Sequence, residues 1–144
     1  MLINKRQTSS IVKLPASAAS RAVAARVQLE ECVVLFVSIY FKPSLPLDTD
    51  EMKEFMGELA ATVLEHDLPF VIGGDWNTSP QGLGDYGWVR MMKATILHAN
   101  DITCEQGMGS EIDYFVMSKA MLPFLHQIKV LHGGTSWPHR PVIA

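Results

Sequence analysis

Cysteine is scarce here: Cys32 and Cys104 are the only two in 144 residues. Two thiols make no disulfide framework and their spacing fits no metal motif, so both read as buried and reduced. No apolar run approaches the roughly 18 residues that a membrane helix needs. The N-terminus lacks the continuous apolar core of a secretory signal, because positive charges interrupt it. Internal repeats are absent too. Acids are missing before Glu30, which makes the charge lopsided. Residues 1–30 carry five Lys and Arg against one acid, and residues 31–144 carry seven against fourteen, for a net charge of −3. That sign argues against a nucleic-acid binder working by general charge attraction. Residues 1–31 read as a basic, Ala/Ser-rich arm, solvated and mobile. The arm's composition also suits an organelle-targeting presequence; the location expected for the chain is otherwise intracellular, cytoplasmic or nuclear.

What is present is patterned. Apolar residues make up 48% and charged residues 19%, an ordinary composition for a folded domain. The length suits one domain with its own core. The Ala-rich stretch at residues 16–25 predicts a short helix. Residues 33–41 are β-branched and aromatic and predict a strand buried on both faces. Met52, Phe55, Met56, Leu59, Val63 and Leu64 recur at helical spacing, so an amphipathic helix follows, stopped before Pro69. Asp48 with Glu51 resembles a capping box at its start. Residues 69–74 form a further strand, and strand–helix–strand predicts a βαβ unit with parallel strands. A Gly-rich loop is expected over residues 81–87, a short helix over 88–93, and strands over 95–99, 111–118, 127–131 and 140–144.

Three separated segments hold the residues suited to chemistry. They are Gly73-Gly74-Asp75-Trp76-Asn77, Ser110-Glu111-Ile112-Asp113-Tyr114-Phe115 and Ser136-Trp137-Pro138-His139-Arg140-Pro141-Val142. The first lies after a strand's carboxyl end, where open α/β sheets place ligands. Taken alone, Asp75 and Asn77 read as turn formers. Asp113 in an apolar strand requires a partner, since an unpaired acid is costly to bury. His139 is one candidate; an exposed loop position beside two prolines is the other reading of that histidine. Tyr40 at a strand end is more often a core aromatic than a ligand. Trp76, Trp88 and Trp137 suit either packing or a substrate groove. His66, His98, His126 and His132 show no ligand spacing and read as surface or core fillers. In this order on an α/β pattern, the three segments together are much more specific than any one.

Those segments resemble the endonuclease/exonuclease/phosphatase superfamily, the fold of DNase I, exonuclease III and abasic-site endonucleases. Its pattern has a strand ending in Tyr, a Gly-Asp-x-Asn motif, an Ile/Leu-Asp-Tyr strand and a terminal Ser-Asp-His-x-Pro-Val. The resemblance covers roughly residues 32–144 and implies the C-terminal half of the fold. The implied class is α/β: a partial four-layered α/β/β/α sandwich with mixed sheets. It also implies roles. Asp75 would align or deprotonate the attacking water, and Asn77 would donate to phosphoryl oxygens. Asp113 would orient His139, which faces the phosphate, and Tyr40 would bind phosphate as a hydrogen-bond donor. Mg²⁺ or Mn²⁺ is the implied cofactor, and a phosphate ester, DNA and RNA included, the implied substrate. Two departures stand out. Pro138 replaces the family's Asp before the His, and the N-terminal half with the metal-binding Glu has no room ahead of Val33. The metal ligands are therefore unassigned.

Two functions follow from different classes. One is a metal-dependent phosphodiester hydrolase, or a phosphomonoester hydrolase on the same site. The other is a catalytically incomplete fragment of the fold acting as a binding module. Half of a sandwich exposes an apolar sheet face, so the expected partners include a missing N-terminal half, a second copy or a longer parent polypeptide.

Overall fold

The structure, a computed structural model, describes residues 8–132 and 137–144. Its strands are β1 (Ser9–Val12), β2 (Ala22–Gln28), β3 (Val33–Tyr40), β4 (Phe70–Asp75), β5 (Ala94–Leu97) and β6 (Asp113–Ser118). They form one mixed sheet in the order β1-β2-β3-β4-β6-β5. Only β3 and β4 pair in parallel, joined by helix α2 (Asp50–Glu65), so the expected βαβ unit is present. A second, two-stranded sheet pairs β7 (Lys129–Val130) with β8 (Val142–Ile143).

Residues 9–28 correct the expected arm. From Ser9 onward they add β1 and β2 to the antiparallel side of the main sheet instead of remaining a mobile tail. The Ala-rich stretch is helical only at α1 (Ala16–Ala19) and is extended from Ala22. The physical reason is burial: Ala22 and Ala24 are small enough to lie under α2, and sheet pairing overrides their helix propensity. Lys5 and Arg6 lie outside the described residues, as does Ser136.

The core sits between one face of the sheet and α2. Leu35, Val37, Ile39, Phe70 and Ile72 meet Met52, Phe55, Met56, Leu59 and Val63, all buried. The cap of α2 is Thr49, whose hydroxyl accepts from the Met52 N–H at 3.3 Å. Asp48, the expected cap, falls one residue too early; Asp50 and Glu51 occupy the first turn, where the helix dipole favours them. The Arg21 guanidinium holds that turn from below. It lies 3.3 Å from Glu51 and 4.6 Å over the Phe55 ring.

The expected loop over 81–87 is largely helix α3 (Pro80–Tyr86), followed by α4 (Trp88–Met91). Its glycines hide it from propensity arguments. The Ser79 side chain caps it, Pro80 starts it, buried Leu83 anchors it and left-handed Gly87 ends it.

The opposite face of the sheet is only partly covered. Near the start of β3, Val34 and Met117 pack under Met121 of a 3-10 helix at Lys119–Phe124. Towards the other end Phe36 and Ser38 are half-buried, and Ile11 and Val23 are exposed, so β3 is not buried on both faces throughout. Among the described residues no helix is long and apolar enough to cross a membrane.

Backbone contact in the middle of the sheet is close enough to dictate residue type. A side chain at Gly74 would run into the Ile39 carbonyl oxygen of the neighbouring strand, and one at Gly73 would meet the Phe115 ring at 2.7 Å. We expect Gly74→Ala to cost about 2–3 kcal/mol or more of stability, the range in which strain and overpacking fall. Urea denaturation checks this, and a loss under ~0.5 kcal/mol rules the close approach out.

Candidate active site

The site is assembled by strand register. Antiparallel pairing of β4 with β6 sets Asp75 opposite Asp113, and parallel pairing of β3 with β4 sets Tyr40 beside Asp75. Side chains at paired positions share a face. Both carboxylates therefore emerge together at one rim of the sheet. Tyr40 emerges beside them and is 48% exposed.

His139 arrives from the far end of the chain and is fixed by main-chain bonds. Cys104 pairs with Ser110 in a short hairpin, and the same Cys104 bridges to His139. Glu105 N–H donates to Pro138 O at 2.9 Å, and Arg140 N–H donates to Thr103 O at 2.6 Å. Thr103 is fully buried, and its hydroxyl accepts the N–H groups of Ile112 and Asp113 at 3.0 and 2.9 Å. One threonine thus ties the Asp113 strand end to the His139 segment. Arg140 adds a side-chain strap: its guanidinium lies 3.1 Å from His132 Nδ1 and also bonds Glu105, while His132 Nε2 lies 2.8 Å from Asp101.

The result brings three predicted residues together. His139 Nδ1 lies 2.9 Å from Asp113 Oδ2. An ionised carboxylate only accepts, so this nitrogen carries the proton and Nε2 points elsewhere. It points at Asp75, whose Oδ2 is 3.8 Å away, too far for a hydrogen bond. Asn77 sits at φ 45°, a left-handed conformation that Asn tolerates. Its backbone N–H donates to Asp75 Oδ1 at 3.0 Å, and its side-chain amide donates to Phe41 O at 2.6 Å. Asn77 is thus the turn former of the simple reading and also holds Asp75.

Burial raises the Asp75 carboxyl above the ordinary carboxylate value; the Asn77 N–H opposes this, Asp113's charge adds to it and His139 opposes it. Trp76 lies beneath the rim, fully buried, stacked on Tyr114 at 5.2 Å and donating its indole N–H to Tyr114 O at 3.0 Å. Trp76 and Trp88 are therefore packing residues, whereas Trp137 is 77% exposed. A cleft of about 410 Å³ runs from Asp75, Asp113 and His139 along the half-covered face past Ser38, Gly73 and Phe115.

Asp75, Asp113 and His139 each offer a donor atom, all within 4.8 Å of one another. Two carboxylates and an imidazole form a donor set able to hold a divalent cation. Each carboxylate has one oxygen engaged, Asp113 Oδ2 by His139 Nδ1 and Asp75 Oδ1 by the Asn77 N–H.

Solved structures share this arrangement of elements. The endonuclease domain of TRAS1, a telomere-specific non-LTR retrotransposon, superposes with a TM-score of 0.73 at 17% identity over 93% of this chain. The fold is that of the endonuclease/exonuclease/phosphatase proteins. Cytolethal distending toxin of Actinobacillus actinomycetemcomitans (TM-score 0.62, 16% identity, 93% of this chain) and the catalytic domain of Xenopus laevis APE2 (0.58, 18%, 85%) share this endonuclease/exonuclease/phosphatase fold. No protein-family model matches the chain, and neither does any curated protein sequence. The chain spans 65%, 56% and 54% of these three structures' own lengths. The fold class expected from sequence, α/β with mixed sheets, is present. Coverage of 93% exceeds the share that residues 32–144 make up, so the likeness extends into β1 and β2.

Sequence reasoning missed Thr103, Arg140 and the paired roles of His98 and His132. Their partners are distant in sequence, so no spacing signal marks them. His98 Nδ1 lies 3.0 Å from Glu111, so neither it nor His132 is a mere filler.

Because its folded value is raised, Asp75 favours the fold when protonated, and that contribution disappears as pH rises through the raised value. At neutral pH its ionised form opposes folding. We expect Asp75→Asn to be more stable than wild type at pH 7, with the gap closing as pH falls towards the ordinary carboxylate value. Paired urea titrations at pH 7 and pH 4 measure this, and a more stable wild type at pH 7 contradicts it.

Proposed function

We propose that this chain is a nuclease-like phosphodiester hydrolase acting at the Asp75–Asp113–His139 rim. The observation that carries the reading is the 2.9 Å Asp113–His139 bond aimed so that Nε2 faces Asp75 across 3.8 Å. Asp75 aligns a water and takes its proton. His139, oriented by Asp113, donates through Nε2 to the developing phosphoryl charge when protonated. The side-chain amide of Asn77 and the phenol of Tyr40 are further candidate donors. Phosphomonoesters fit the same donors.

A divalent cation fits the donor set. Mg²⁺ binds through one or two carboxylates and keeps its remaining positions for water and substrate phosphate, so Asp75 and Asp113 are the residues that would hold it. Mn²⁺ tolerates the imidazole better. When bound, the cation would neutralise phosphate charge. The TRAS1 domain is an endonuclease by its own description, and that makes nucleic acid the substrate class we favour for this chain.

A second reading rests on Pro138, which offers no ligand where the superfamily resemblance leads one to expect Asp, and on the half-covered sheet face. In it the chain is a catalytically incomplete binding module.

The deciding experiment is hydrolysis of bis(p-nitrophenyl) phosphate and of plasmid DNA by monodisperse protein with Mg²⁺ or Mn²⁺. We expect chelator-sensitive turnover that falls by roughly 10²–10³ or more in Asp75→Ala and His139→Ala, the scale on which preorganised catalytic groups act. Absence of turnover in folded wild type would select the binding module.

A further inference from the structure

A second histidine–carboxylate couple stands at the same end of the sheet, where the register sets His98 on the α3 side. β5 pairs with β6 so that Leu97 faces Phe115, and the next residue of β5's chain is His98. Its Nδ1 lies 3.0 Å from Glu111 Oε2, and the other Glu111 oxygen accepts the Asn100 N–H at 2.8 Å. Both Glu111 oxygens are engaged, so the imidazole is held with Nε2 directed away from the carboxylate. These side chains are part-buried: His98 is 32% and Glu111 18% exposed.

The couple forms one wall of a cleft of about 420 Å³, separate in its lining from the Asp75 cleft. Ser79 and Gln81 are its other polar residues; Pro80, Gly84 and Ile96 make an apolar floor. Gly84 presents bare backbone, with Ile96 the nearest side chain to where a Cβ would stand, at 3.7 Å. Among the described residues no lysine or arginine lines the cleft. Glu111 lines it, and Asp85 holds the Gln81 amide at 2.7 Å, so an anion is disfavoured there. A flat, largely neutral ring with hydrogen-bonding edges suits it better. The imidazole Nε2, the Ser79 hydroxyl and the remaining hydrogen and oxygen of the Gln81 amide offer donors and acceptors, which is how base edges are read.

Position gives this meaning. Ser79 follows Asn77 by two residues and Glu111 precedes Asp113 by two. Two residues of chain reach at most about 7 Å, so the backbone of the cleft at Ser79 and Glu111 lies within that distance of Asn77 and Asp113. We propose that the His98–Glu111–Gln81 cleft is a nucleobase subsite, seating a base of the strand whose phosphodiester lies at His139. The inference deepens the hydrolase reading and rests on it for the placing of the phosphate.

The test uses the full chain carrying Asp75→Asn, with fluorescein-labelled single-stranded oligonucleotide and an abasic oligonucleotide of the same length. Fluorescence anisotropy is expected to show the base-bearing strand binding about tenfold more tightly. Adding His98→Ala, or Gln81→Ala on the exposed face of α3, should bring its affinity down to that of the abasic strand and leave abasic binding unchanged. Gln81→Ala removes only a surface side chain, so a folding failure at His98 does not protect the proposal. Equal affinity for both strands overturns it, as does a loss shared equally by both or an absence of binding. Base-dependent binding without hydrolysis of bis(p-nitrophenyl) phosphate by wild type overturns the hydrolase reading and leaves the subsite standing. Hydrolysis without base-dependent binding does the reverse.

Discussion

Two carboxylates set opposite each other on adjacent strands are the constraint around which this molecule is arranged. The β4–β6 register makes Asp75 and Asp113 neighbours, and like charges at paired positions repel. The fold relieves that repulsion in two ways. Asp113 is given His139, and Asp75 is given the backbone N–H of Asn77. What remains uncompensated appears as the raised Asp75 carboxyl, with burial the larger cause.

Everything around the rim serves the placing of that trio. Trp76 must be buried and stacked on Tyr114 for Asp75 and Asn77, its chain neighbours, to project together. Gly73 and Gly74 let β3, β4 and β6 approach closely just before the rim. The Thr103–Cys104–Ser110 hairpin brings the last segment alongside, with buried Thr103 bonding both the Asp113 strand and, through its carbonyl, Arg140. Chain order plays no part in this: residues 75, 103, 113 and 139 meet only because strand pairing folds them to one end.

The half-covered face completes the picture. The α2 side is a finished core, dense with Met, Leu and Phe. The other side has a small cluster at one end and a cleft at the other, and the β7–β8 pair contributes Val142 to the cleft wall. A sheet face of this kind explains why the site is a trench and not a closed pocket.

Much was legible beforehand, for reasons that can be named. The β3–α2–β4 unit follows from period-2 and period-3.6 apolar spacing, since each regular element buries one face at a fixed interval. Asp75, Asn77, Asp113 and His139 were visible because their three segments, in that order on an α/β pattern, resemble the superfamily's motifs; local chemistry alone required only that Asp113 have a partner. Other features had no local mark. Residues 9–28 joined the sheet because Ala22 and Ala24 fit beneath a helix some 30 residues later. Helix α3 formed despite its glycines because a Ser79 cap and a buried Leu83 outweighed propensity. His98, Thr103 and Arg140 acquired partners only through strand register and hairpin contact. Local sequence determined the β3–α2–β4 unit and the chemically apt residues, whereas tertiary structure alone decided which carboxylate each histidine met, because hydrogen bonds depend on distances that only the folded chain sets.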